Sequence, residues 1–145
     1  AAHLHGDEAL LVAVAEAGER IDGATYVDVL LNRRNALALR MAQFHARFDL
    51  LLTPTLPLPA FATGRNTPAD GTYGEDWTRW TPFTYPFNIT QAPAASVPCG
   101  LTRAGLPAGL QIVGALGRDF LVLQAAAAFE ALRPFARVDA PIESI

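Results

Sequence analysis

The chain has 145 residues, 51% of them hydrophobic and 17% charged, with a formal net charge of −3. That length suffices for one domain with a real core, which at this size buries roughly 68–70% of the surface the unfolded chain exposes. The mild charge gives no electrostatic reason to expect nucleic acid or an anionic membrane as partner. The chain also contains no lysine, which excludes lysine-based proton transfer or Schiff-base chemistry within it.

Ala1 to Asp7 lacks an initiator methionine, a basic n-region and an apolar h-region, so it does not read as a signal peptide. It reads as the middle of a longer chain or a processed start. His3 and His5 supply two imidazoles there, but two ligands do not close a zinc site, and an exposed tail is the reading. Within an N-terminal helix region at 1–20, a first helix is predicted from Asp7, its cap, to Ala17, with Gly18 as the residue that ends it. A second, long helix is predicted over 24–48, capped by Asp22. Its apolar stripe is Val27, Leu30, Leu31, Leu37, Ala38, Met41, Phe44 and Phe48, and His45 borders it as a packed or surface histidine.

The apolar run at 49–54 reads as a buried strand closed by Pro54, after which Pro57 and Pro59 keep the chain extended. An irregular loop follows at 62–82. Loops of this length inside a compact domain are uncommon and often serve as binding loops or lids. The aromatic cluster at its end, Trp77, Trp80, Phe83 and Tyr85, either seals a core or lines a ligand pocket. Residues 83–132 complete the pattern. A helical turn passes through Asn88 and Thr90, strands follow at Ala95–Leu101 and Ala108–Gly114 with a hairpin-like link, and a last helix capped by Asp119 runs to Leu132. Pro98 suits a strand only where its missing donor faces an edge or a bulge.

No Gly-rich phosphate loop, nucleophile elbow, zinc-protease helix or Cys-x-x-Cys is present, so no cofactor or metal is indicated. The serines are Ser96 and Ser144. Ser96 lies in a strand-like apolar run, where a structural role is the better reading. Cys99, the single cysteine, reads as a small buried side chain. It permits no intrachain disulfide framework and suits a reducing cytoplasm. From residues alone the fold class is α/β.

Three ordered stretches carry more information. Phe48 to Pro57, Phe83 to Thr90 continued by Pro93 to Gly100, and Gly105 to Gly114 resemble the late strand-and-turn and the C-terminal signature of amidase signature enzymes. The resemblance extends from about Asp22 to Leu132. One departure is Gln91, where the family commonly has glycine; a positive φ there would mean strain.

The resemblance implies an α/β fold in which a mixed β-sheet is covered by helices, of which this would be the C-terminal part. It implies hydrolysis of carboxylic amides by a serine nucleophile, a second serine in a cis peptide and a lysine base, all upstream of these residues. No catalytic residue is then expected here. The expected role is part of the acyl-side pocket wall, with Trp77, Trp80, Thr81 and Phe83 as substrate-binding candidates. The expected partners are a small amide substrate, the upstream part of the same protein, and a second copy of the chain. Two other readings stand beside this one: the glutamine-hydrolysing subunit of a transfer-RNA amidotransferase, and a non-catalytic interaction module from a split or degenerate homologue.

Overall fold

The computed structural model describes residues 4–74 and 77–135; His3 and Ser144 lie outside them. The chain divides into two compact units at Leu37/Ala38.

In the first unit α1 spans Leu4–Glu19 and α2 spans Gly23–Asp28. The first helix starts before Asp7 and continues through Gly18, so Asp7 does not cap its start and Gly18 does not end it as expected. Asp22 does cap α2. Its carboxylate accepts from the Thr25 amide at 2.9 Å and the Thr25 hydroxyl at 2.6 Å. The hydroxyl and then the amide hold the Asp22 carboxyl below its ordinary 3.8. A depressed folded-state value stabilises the fold above the ordinary value, and that contribution is lost as pH falls through the depressed one.

The expected long helix is three consecutive pieces: α2, a π-helical stretch at Val29–Arg33, and α3 at Arg34–His45. In the π stretch the Arg34 amide donates to the carbonyl of Val29, five residues back. The same widened turn brings Arg33 Nε within 2.8 Å of Asp28, also five residues away. The helix stops at His45, before the expected Phe48, as a turn folds the Phe48 amide back onto Phe44 O.

The second unit is built on a three-stranded antiparallel sheet of order β1-β3-β2. The strands are β1 (Leu50–Pro54), β2 (Ala94–Leu101) and β3 (Pro107–Gly114). Of the expected mixed sheet, the described residues hold antiparallel pairs only. The β2–β3 link makes that orientation unavoidable: Thr102 N donates to Leu106 O, Leu106 N to Thr102 Oγ1, and Gly105 turns at φ 79°. Pro98 sits at a β-bulge on β2, where the register shifts between Pro98 and Gly100. A residue without an amide donor fits such a break in the ladder.

Between β1 and β2, α4 (Tyr85–Thr90) ends in a Schellman arrangement. Ala92 N donates to Phe87 O and Gln91 N to Asn88 O, with Gln91 at φ 58°. The glycine-to-glutamine departure therefore falls on a left-handed backbone. Gln91→Gly should raise unfolding stability by about 1 kcal/mol, because a Cβ in this region is penalised by that order. Denaturant titration showing unchanged or lower stability would remove the strain argument.

After the sheet, α5 (Asp119–Leu132) packs on β2 and β3, and Val97, Ile112 and Val122 form the core between them. Ala125 and Ala126 lie against this core, their small side chains permitting close approach. The spacing is tight at the strand end too, since a Cβ on Gly114 would meet Val122 at 2.7 Å. Arg118, not Asp119, occupies the cap position, without a side-chain bond. Asp119 is instead the first helical residue, where its carboxylate complements the helix dipole.

Much apolar surface stays in solvent. Val27, Leu30 and Leu31 of the expected stripe are exposed, as are Leu116 at 71% and Phe120 at 72%. Patches above a few hundred Å2 or so favour association. The isolated 145-residue chain should accordingly associate at micromolar concentration and bind an apolar-surface dye. A dye-silent monomer by light scattering would refute this.

Candidate functional site

Two features of the second unit bear on function. The first is a groove of about 900 Å3 at one end of the sheet, lined mainly by apolar side chains such as Leu52, Leu56, Pro98 and Leu110. Its polar groups are few. Thr55 Oγ1 and Ser96 Oγ lie 2.6 Å apart, bridging the central strand at Gly109. A Cβ there would stand 2.6 Å from Thr55 Oγ1 and 3.0 Å from Ser96 Oγ, so the glycine makes the hydroxyl pair possible. A threonine hydroxyl is no base, so this contact does not activate Ser96.

Cys99 also lines the groove. It is exposed, which corrects the expectation of a buried side chain. It sits at the β-bulge, whose irregularity turns the side chain out of the ladder. Its thiol donates to Ala108 O at 3.4 Å, and a backbone carbonyl cannot remove its proton. His45 is not part of this groove. Its Nδ1 faces Phe48 O at 3.1 Å and its ring stands edge-on to Phe44.

The second feature is the aromatic segment. A 3-10 turn at Trp77–Trp80 leads into further turns, with Thr81 N on Thr78 O and Thr84 N on Thr81 O. Trp80 donates its indole N–H to Asn66 O at 2.8 Å and meets Phe61 edge-on at 5.2 Å. Thr81 Oγ1 donates to Thr78 O at 3.0 Å. Trp80, Thr81 and Phe83 are half-buried, and none of these three lines the groove. Together with Trp77, which opens the 3-10 turn, they share one short stretch of backbone turns.

Gln111 lies outside the expected site residues. It occupies β3 opposite Thr53 and Ser96 and is only 8% exposed. Its amide donates to Thr53 Oγ1 at 3.0 Å and to Phe83 O at 2.9 Å. The available signal was a lone amide inside an apolar strand, because buried polar groups need partners.

The Amidase family profile matches residues 13–123. The chain belongs to the amidase signature family. It is 38% identical over 133 residues to an acylamidase of Rhodococcus erythropolis, covering 87% of this chain and 27% of that protein. It is 38% identical over 118 residues to a glutamyl-tRNA(Gln) amidotransferase subunit of a Cyanothece species, covering 77% and 23%. Among solved structures, a bacterial aryl acylamidase of the family superposes with a TM-score of 0.70 at 34% identity, over 87% of this chain and 26% of that one. The chain thus spans about a quarter of the length of these relatives. Among the described residues no helix is long and apolar enough to cross a membrane.

Proposed function

We propose that these residues are the C-terminal portion of an amidase that hydrolyses carboxylic amides to the acid and ammonia or an amine. The serine nucleophile, bridging serine and lysine base lie outside the 145 residues. The observation that carries this reading is the similarity to the acylamidase over 87% of the chain, joined to a sequence with no lysine. In this reading the segment completes part of the sheet, and Trp77, Trp80, Thr81 and Phe83 form part of the acyl-side wall. Its partners are a small amide, the rest of the protein and, through its exposed apolar residues, a second copy. A lone cysteine that permits no intrachain disulfide fits a cytoplasmic location.

The amidotransferase reading rests on the Cyanothece relative. Coverage favours the acylamidase, 87% of the chain against 77%. Among solved structures the TM-score is higher for the aryl acylamidase, 0.70 against 0.63 for the glutamyl-tRNA(Gln) amidotransferase subunit of Thermotoga maritima, while the latter covers more of the chain, 91% against 87%. A non-catalytic module requires the serine and lysine to be missing upstream. Product analysis of the complete protein separates the three readings. Equal release of acid and amine from simple aliphatic or aryl amides supports the amidase. Release from glutamine alone supports the amidotransferase reading, and no release from any amide supports the module.

A further inference from the structure

We propose that Gln111 is a positioning residue for acyl-group selection, acting by fastening the backbone of the aromatic segment to the central strand of the sheet. The proposal rests on the amidase reading and on the segment forming part of the acyl-side wall.

Both hydrogens of the Gln111 carboxamide are committed. One goes to Thr53 Oγ1 on β1 and the other to the carbonyl of Phe83. A carbonyl only accepts, so the group facing Phe83 O must be the NH2 end, which fixes the orientation of the amide. Thr53 passes its own hydrogen on to Pro54 O at 3.0 Å, so it accepts from Gln111 and cannot compete as donor. The side chain therefore has one arrangement that satisfies these partners. It is nearly buried, where an unmet donor or acceptor is penalised most.

What Gln111 holds is more than one carbonyl. The turns at Thr78–Thr81 and Thr81–Thr84 link Phe83 to Trp80 through short backbone bonds, so a shift at Phe83 O is transmitted to the indole. At its other end Trp80 is tied to Asn66 and Phe61, which belong to an irregular loop and give less rigid support than a strand. Gln111 supplies an anchor on a strand paired on both sides. A wall residue that selects among acyl groups needs a fixed depth, because misplacement by about 1 Å is enough to degrade a binding geometry.

The test uses the complete enzyme and a series of amides whose acyl groups grow in bulk. Wild-type turnover on this series tests the amidase reading separately; no turnover at all would sink that reading. Given turnover, Gln111→Met keeps the side-chain length and removes both donors. It is expected to change the bulky-to-small ratio of kcat/KM by about tenfold, chiefly through KM. Its effect should be non-additive with Trp80→Ala, since both act on one wall. Thr53→Val removes one acceptor and leaves the Phe83 bond. It should move the ratio in the same direction by a smaller factor, and it decides the matter if Gln111→Met yields no folded enzyme. An equal loss of kcat/KM for every acyl group, or an unchanged ratio in a folded variant, would overturn the proposal.

Discussion

On the proposed amidase reading, Trp80→Ala in the complete protein should change relative kcat/KM among acyl groups by roughly 10–200-fold, the range for a hydrophobic contact made with one substrate and missed by another. The indole is half-buried, bonded to Asn66 O and set edge-on against Phe61. These contacts orient the ring, and an oriented ring can discriminate. They also mean that alanine loosens the loop itself, so the ratio between substrates is the informative quantity and the absolute rate is not. A uniform fall across the series, with a matching drop in melting temperature, would assign Trp80 to the loop's own packing.

The sequence made the elements of the second unit legible because their punctuation is strong. Pro54 closes an apolar run, Gly105 and Pro107 mark the hairpin link, and the alanines of α5 leave little choice but helix beside a sheet. Asp22 was readable as a cap for the same local reason. The ends of α1 and α3 were not, since Asp7 and Gly18 are only permissive signals and the turn after His45 depends on backbone bonds to Phe44. The π stretch is invisible in a period of 3.6, which tolerates one widened turn without breaking the apolar stripe. Gln91 was the most informative departure: a glycine position filled by glutamine, now seen at positive φ. The Thr55–Ser96 and Gln111 contacts join residues 41, 58 and 28 positions apart. No pattern in one sequence reports such pairings before the strands are placed in register.

The isolated chain should catalyse no amide hydrolysis. A serine hydroxyl without a base is a weak nucleophile at neutral pH, and acyl transfer gains little without an oxyanion site. Ser96 Oγ shares a hydrogen bond with Thr55 Oγ1, which is no base, and the sequence holds no lysine to serve as one. The remaining rival is Cys99, exposed in the groove and intrinsically more nucleophilic. Its thiol faces a carbonyl, and His45, which does not line the groove, sets its Nδ1 against Phe48 O and its ring edge-on to Phe44. The most direct measurement is hydrolysis of a panel of aliphatic and aryl amides by the purified 145-residue chain beside the complete protein. Turnover confined to the complete protein, and lost when its upstream serine is replaced, is the predicted result. Turnover by the isolated chain that disappears in Cys99→Ala would contradict the account.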